Sequence, residues 1–411
     1  MSETTRRAQR RAPAGIARHG KLRRPRAWTT VLKIVAASLT VVLVSGAALA
    51  GLELWRLQSS IKTVTLVGET EGPPPALGSF EGGFNLLVVG SDKCEDPGGC
   101  AGRGSAELND VTILLHVSQD QTHAVAVSFP RDLVVPIPPC PAPSGGNYPS
   151  MSGQPINVTL SYGGLPCTVL TLESLTGLDI QFAGLVTFYG VASLATAVGG
   201  VTVCVDGPIN DRYAGLFLPS AGEYELQGHD ALAFLRSRHG VGDGSDLGRI
   251  SSQQVYMSSL VRTLKNDGVL NDLGKLYNIA NVAANHMTLS EGLSNVNTMV
   301  AMAQVLKNLP LERVMFVQYP GVTGQDGLYL GKVAPVKSVA DQLFAKIRAD
   351  EPFTVAAGNT GIGSTLNPNA PEPTVDPSPS ASADAPVLEP GQVIAGLKGQ
   401  SAADHTCSKA N

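Results

Sequence analysis

The longest uninterrupted pattern in the chain is an apolar one. Ile34 to Leu52 is a 19-residue stretch without a charged side chain, close to the ~20 residues a helix needs to cross the hydrocarbon of a bilayer. Further on the apolar runs are shorter. Phe84 to Gly90 reads as a buried strand. Val111–Val117 and His123–Phe129 are β-branched runs joined by Ser118-Gln119-Asp120-Gln121, which predicts an antiparallel hairpin stopped by Pro130. Leu165–Leu175 and Phe188–Val198 carry helical periodicity, and the second passes through Gly199-Gly200 into a strand over Val201–Val205. A helix is expected from about Arg249 to Leu264, because Ile250, Gln253, Met257, Leu260, Val261 and Leu264 share one face and Asp246 stands near its start. Residues 270–350 continue in mixed helix and strand. Such alternation predicts an α/β fold, an α-β-α layered domain with a central mixed sheet, preceded by one transmembrane helix.

Composition then divides the chain. Residues 1–33 are a basic tail, 34–52 the transmembrane helix, 53–80 a stalk ending in Gly72-Pro73-Pro74-Pro75, and 81–355 one large domain. A Pro/Ser-rich linker over 356–392 and a C-terminal tail over 393–411 follow. The content of 43% hydrophobic, 16% charged and 5% aromatic residues with 45 glycines suits a loop-rich, sheet-containing body rather than a helical bundle. Ten basic side chains face only Glu3 in the first 33 residues, a charge of +9 against a total of −4, so the rest carries −13. That body is a poor nucleic-acid ligand. The basic flank places the N-terminus in the cytoplasm and the domain outside the cell membrane, as a single-pass protein. Ala48-Leu49-Ala50 offers the competing reading of a cleaved signal peptide; the long basic region and the full spanning length favour a retained anchor.

Cys94, Cys100, Cys140, Cys167, Cys204 and Cys407 all follow the apolar segment, which suits an oxidising compartment. No C-x-x-C spacing suggests zinc. Pairing neighbours joins Cys94 to Cys100 and Cys140 to Cys167 and leaves Cys204 for Cys407, with other connectivities open.

Familiar catalytic signatures are missing: the sequence holds no G-x-S-x-G, H-E-x-x-H, Walker A or G-x-G-x-x-G pattern. What stands out is a set of arginines and aspartates at predicted element ends. Arg236 and Arg238 point to one side of an extended segment, because strand side chains alternate. The planar guanidinium fork suits phosphate oxygens, so Arg131, Arg236, Arg238 and Arg249 together suit a pyrophosphate, with Arg249 adding the positive end of a helix. Asp92 closes one strand and Asp110 opens the next, a pair of hard oxygen ligands for Mg²⁺ or Mn²⁺. Each has a plainer reading: solvated surface arginines, turn aspartates, and Asp246 as a helix cap. His239 reads as a loop histidine and Asn157-Val158-Thr159 as a sequon without a role.

The wording and order of these segments resemble the LytR-CpsA-Psr family of bacterial cell-envelope enzymes over about residues 84–265. The likeness rests on Asn85-Leu86-Leu87-Val88-Val89-Gly90-Ser91-Asp92, Val127-Ser128-Phe129-Pro130-Arg131-Asp132, Ile156-Asn157 before Tyr162-Gly163-Gly164, and Leu175-Thr176-Gly177. It continues through Val198-Gly199-Gly200-Val201-Thr202-Val203, Leu226 to Gly228, Ala231 to His239, Asp246-Leu247-Gly248-Arg249-Ile250 and Gln253-Gln254. The resemblance implies a membrane-anchored phosphotransferase that moves an anionic glycopolymer from a polyprenyl-pyrophosphate carrier to peptidoglycan, forming a phosphodiester. By position it implies Arg131, Arg236, Arg238 and Arg249 on the pyrophosphate, Asp92 and Asp110 on Mg²⁺, and Asp246 orienting arginines or assisting deprotonation of the acceptor. Arg131, Arg238 and Asp246 are the catalytic candidates. The sequence departs from the family at Leu108, where an arginine is usual; Arg103 is a candidate substitute from the insertion holding Cys94 and Cys100. The cysteines at 140, 167, 204 and 407 look like those of high-GC Gram-positive members. Two other functions compete: a polyprenyl-phosphate binding or regulatory protein, and a pyrophosphatase using water as acceptor at the same site.

Overall fold

The computed structural model describes residues 27–69, 80–93, 107–266, 268–269, 272–370 and 391–411. Two compact units divide at residues 56 and 57. The first carries most of α1 (Ala27–Ser60), whose stretch Trp28–Leu49 is apolar and long enough to span a membrane, with none of it covered by protein. At about 1.5 Å per residue those 22 residues cover roughly 33 Å. The helix continues past Leu52 because Glu53 to Ser60 contains neither glycine nor proline. The stalk expected over 53–80 therefore begins inside a helix, and Lys62–Val64 within it is a strand, β1, rather than free chain. Gly72 to Pro75 lie outside the described residues, as do Cys94, Cys100 and Arg103.

The second unit is built on an eight-stranded mixed sheet. Its members are β1, β2 (Phe84–Ser91), β3 (Asn109–Val117), β4 (Ala124–Phe129), β5 (Phe182–Thr187), β10 (Met287–Ser290), β11 (Val314–Gln318) and β13 (Gly399–Ser401), in the order β1-β10-β5-β2-β3-β4-β11-β13. The predicted hairpin is β3 and β4, paired antiparallel with Thr112 opposite Phe129. Alternation along β4 sorts its side chains between two faces. Val125, Val127 and Phe129 enter one core, with Leu165, Val169 and Leu172 of α2 (Thr159–Thr176) and Leu343, Phe344 and Ile347 of α8 (Lys337–Arg348). Ala124 and Ala126 enter the other, with Met302 and Val305 of α7 (Val296–Asn308) and with Met257 and Val261 of α5 (Asp246–Asn266). The layering is α-β-α, as the alternation of elements predicts.

A four-stranded sheet stands beside it: β9 (Gly222–Leu226), β6 (Val201–Val205), β14 (Thr406–Ser408) and β12 (Ser364–Leu366), in that order. Between β6 and β9 lies the hairpin of β7 (Ile209–Asp211) and β8 (Leu216–Leu218). α3 (Phe188–Val198) precedes β6 and α4 (Gly228–Arg236) follows β9; α6 (Leu273–His286) leads into β10. Thr187 caps α3 by accepting from the Gly190 N–H, and Gly199 ends it at φ 100°, a left-handed conformation that glycine adopts without cost.

The C-terminal segment differs from expectation. β13 is the edge strand of the main sheet, β14 pairs with β6 in register Cys204↔Cys407, and those two cysteines form a disulfide. β12 lies within the stretch 356–392 expected as linker. Residues 393–411 are thus part of the domain rather than a tail. Polarity concealed this: Gln400, wholly buried, donates through Nε2 to the Gln254 carbonyl and to Ser258 Oγ, so a polar strand is held by hydrogen bonds that hydropathy does not register. The second disulfide joins Cys140 to Cys167. A Cβ on Gly163 would stand 2.8 Å and 2.9 Å from their Cβ atoms, so only glycine fits there.

Two buried histidines flank the β3–β4 turn. His116 contacts Asn85 Oδ1 at 2.8 Å and Asp350 Oδ1 at 3.0 Å, and His123 is 4% exposed. Burial lowers the pKa of both below the ordinary 6.5, against the opposing pull of Asp350 on His116 and of Asp120 and Asp350 on His123. Unfolding exposes imidazoles that take up protons the native state excludes. Stability is therefore complete above about pH 6.5 and declines as the pH falls from there toward the lowered native values. Urea unfolding midpoints between pH 7.5 and 5 are expected to fall with acid, and His123→Gln to flatten the decline; an unchanged slope would count against the histidines as its source.

Candidate active site

The site starts from an irregularity in pairing. Gly90 pairs with Val111 and Ser91 with Asn109, so Asp110 is an extra residue bulged out of β3. Freed from the ladder, its carbonyl accepts from Arg249 Nη2 at 2.7 Å and its carboxylate meets Arg131 Nη1 at 2.5 Å. The β3–β4 register, continued two rungs beyond Thr112↔Phe129, sets Arg131 level with Asp110. Asn109, also wholly buried, contacts Thr112 Oγ1 and the carbonyls of Ile156 and Asn157, fixing the start of β3 to the segment before α2. Asp92 follows β2 and exchanges backbone and side-chain contacts with Leu108: its N–H donates to the Leu108 carbonyl at 3.0 Å and its Oδ1 accepts the Leu108 N–H at 2.7 Å.

Asp246 closes the arrangement from the helix side. It opens α5, yet the cap is its neighbour, since Ser245 Oγ accepts the Gly248 N–H at 3.2 Å. Asp246 instead faces the arginines, 4% exposed. Its Oδ2 accepts the backbone N–H of Arg131 at 3.0 Å, and its Oδ1 lies 2.7 Å from Arg249 Nη2. That second contact is not a hydrogen bond, so the attraction is charge against charge.

Three of the four predicted arginines converge here. Arg131 is ringed by Asp110, Asp132 and Asp246; burial opposes its charge, but these carboxylates outweigh it and raise its pKa. Arg238 stands in the reverse position. Burial first, then the charges of Arg131 and Arg249 against the pull of Asp246 and Asp132, lower its pKa. The Nε atoms of Arg131, Arg238 and Arg249 are all buried and hydrogen-bonded to no atom of the described residues. Buried donors in that state cost about 1–3 kcal/mol each, so three in one place mark a site made for an acceptor the protein does not supply.

Arg236 corrects the expected pair. It ends α4 instead of lying in an extended segment, and its guanidinium stacks over the Phe188 ring at 4.4 Å from the centroid. The Arg-x-Arg spacing misled because helical Leu235-Arg236 gives way to extended backbone only at Ser237. Conversely, no local motif marks Lys332, which pairs with Asp132 at 3.0 Å from a segment 200 residues away in sequence. With Lys332 four cations stand against Asp110, Asp132 and Asp246.

Removing Asp246 leaves Arg249, also 4% exposed, beside Arg131 without their shared counter-charge. Breaking a buried pair in this way costs about 3–5 kcal/mol. Asp246→Ala is expected to lower the unfolding free energy from chemical denaturation by that much, and sulfate or pyrophosphate to restore part of it; a loss below about 1 kcal/mol would refute the shared role.

The sequence profile of the LytR_cpsA_psr family matches residues 60–345. The cell wall biosynthesis protein LcpA of Corynebacterium glutamicum is 28% identical over 281 residues, covering 60% of this chain and 51% of that protein. The polyisoprenyl-teichoic acid–peptidoglycan teichoic acid transferase TagT of Bacillus subtilis is 23% identical over 253 residues, covering 59% and 72%. The match thus spans about half the length of LcpA. In structure, a LytR-Csp2A-Psr enzyme from Actinomyces oris superposes with a TM-score of 0.52 at 22% identity over 70% of this chain and 95% of that one, a likeness of fold. With its matched length, its fold and the ordered motifs around Asp92, Arg131, Arg238 and Asp246, the chain belongs to the LytR_cpsA_psr family.

Proposed function

We propose that the protein transfers an anionic glycopolymer from a polyprenyl-pyrophosphate carrier to peptidoglycan, forming a phosphodiester. The observation that carries this reading is the trio of buried Nε atoms on Arg131, Arg238 and Arg249 that find no hydrogen-bond partner among the described residues, in a cluster where two of the arginines oppose the charge of Arg238. Family membership and the names of TagT and LcpA support it. In the reaction an acceptor hydroxyl oxygen attacks the phosphorus that carries the glycan, the bond to the bridging anhydride oxygen breaks, and polyprenyl phosphate leaves with the electron pair. The acceptor proton passes to a base or to water. Charge grows on the departing phosphate, and preset guanidinium groups stabilise it without reorganising. Asp246 suits orientation, since its Oδ2 accepts the Arg131 N–H and its carboxylate charge lies against Arg249. Arg236, stacked on Phe188, is left outside the pyrophosphate set in this reading.

Magnesium, or manganese, is part of the same proposal. Among the described residues no three His, Cys, Asp or Glu side chains group into a protein-made cage. Asp92 and Asp110 fit the other way of holding such an ion, in which one or two carboxylates share it with substrate phosphates and water; bound there it would neutralise pyrophosphate charge. The single apolar helix suits a membrane anchor, and the basic first 33 residues suit a cytoplasmic N-terminus. Disulfides at Cys140–Cys167 and Cys204–Cys407 suit an extracellular domain.

The test uses the full chain in lipid nanodiscs with a polyprenyl-pyrophosphate glycan and peptidoglycan, with and without Mg²⁺, beside Arg131→Ala and Arg238→Ala. Metal-dependent attachment that each substitution lowers by about 10²–10³-fold is expected. Binding without transfer would make this a carrier-binding protein, release of free phosphate a hydrolase, and no binding would end the pyrophosphate reading.

A further inference from the structure

Arg238 reaches the cluster from a loop, so its aim depends on what holds that loop. The holder is Asp211, the last residue of β7, 1% exposed. Its Oδ2 accepts from Ser237 Oγ at 3.0 Å and from three successive backbone N–H groups, of Arg238 at 2.9 Å, His239 at 3.0 Å and Gly240 at 3.4 Å. Its Oδ1 accepts the N–H groups of Tyr213 and Ala214 at 3.0 and 3.1 Å. Among the described residues no cation lies within ion-pair distance of it. Burial works against its charge, and the hydrogen bonds from the backbone and Ser237 outweigh burial and hold its pKa below the ordinary 3.8. Successive N–H groups converging on one oxygen make an anion nest, and here the chain's own carboxylate fills it. The approach is close enough that a Cβ on Gly240 would stand 2.8 Å from Ile209 Cγ2 and 3.2 Å from Asp211 Cβ.

We infer that Asp211 is the positioning residue for Arg238: its carboxylate draws residues 237–240 against β7 and so sets the direction in which the guanidinium meets pyrophosphate. The inference rests on the pyrophosphate reading of the arginine cluster. Asp211 touches no substrate; it acts through Arg238. The loop has a second, independent hold. The Asn411 N–H donates to the Gly240 carbonyl at 3.1 Å, Asn411 Nδ2 to the His239 carbonyl at 3.0 Å, and the Gly242 N–H to the Lys409 carbonyl at 2.8 Å. Replacing Asp211 therefore loosens one side of the loop while the other side keeps it in place.

Asp211→Asn keeps the shape but exchanges one acceptor oxygen for an amide nitrogen that faces other N–H groups. The experiment is a double-mutant cycle on the full chain, measuring Kd for inorganic pyrophosphate by calorimetry with wild type, Asp211→Asn, Arg238→Ala and the double variant. Asp211→Asn is expected to weaken pyrophosphate binding about tenfold, and to add nothing in the Arg238→Ala background. In the transfer assay it should raise the KM for the polyprenyl-pyrophosphate carrier and leave the KM for peptidoglycan unchanged, a split that general loss of fold, which lowers only the active fraction, would not produce. Equal weakening in both backgrounds would overturn the inference, as would wild-type affinity in Asp211→Asn. A wild type that does not bind pyrophosphate would overturn the site reading itself. Should Asp211→Asn fail to fold, Ser237→Ala removes one donor to Oδ2; a two- to threefold weakening present only with Arg238 supports the inference, and its absence overturns it.

Discussion

The hydrogen bond from the Arg131 N–H to Asp246 Oδ2 joins the end of β4 to the start of α5, and the rest of the site takes its geometry from that junction. It fixes the backbone of one arginine through the carboxylate that also lies against a second. Arg131 and Arg249 can approach each other only because Asp246 stands between them and because the bulge at Asp110 offers a carbonyl to one and a carboxylate to the other. A regular β3 would have turned the Asp110 carbonyl into an ordinary ladder partner and taken it from Arg249.

This arrangement is stable enough to form but not optimised for stability. A buried ion pair roughly breaks even against apolar packing, and three orphaned Nε atoms subtract from whatever the pairs contribute. The protein keeps the cost at one place, where an anion would recover it. Arg238 is the clearest case, because its charge is opposed by two neighbouring arginines as well as by burial, so an incoming phosphate gains more there than at Arg131, whose charge is already compensated.

The sequence made the scaffold legible where periodicity carried the information. The hairpin of β3 and β4, the strand β6 and the helices α3 and α5 stand close to where alternation and helical spacing predict them. Arg131, Arg238, Arg249 and Asp246 were visible because motifs at element ends keep local order, and the fold then brings those ends together. Contacts without a local signature were not visible. Lys332 meets Asp132 across 200 residues, and Asp211 reads as an ordinary turn aspartate until its six hydrogen-bond donors are seen. Arg236 differs in another way, since spacing implied an extended segment and the residue instead ends α4, over the Phe188 ring.

The family match ends at residue 345, yet the sheets do not close there. β13 supplies the partner for one edge of β11, and β14 lies between β6 and β12. Without these strands the backbone groups along β11 and β6 would face open edges, and buried Gln400 would have nothing to offer Gln254 and Ser258. The same returning chain ends on the loop of Arg238, where Asn411 holds the face opposite Asp211. A cross-link at Cys204–Cys407 fixes that return to β6, which the β7–β8 hairpin and β9 separate from α4. Sheet closure and the placement of Arg238 are consequently one structural problem, and the last 20 residues solve both.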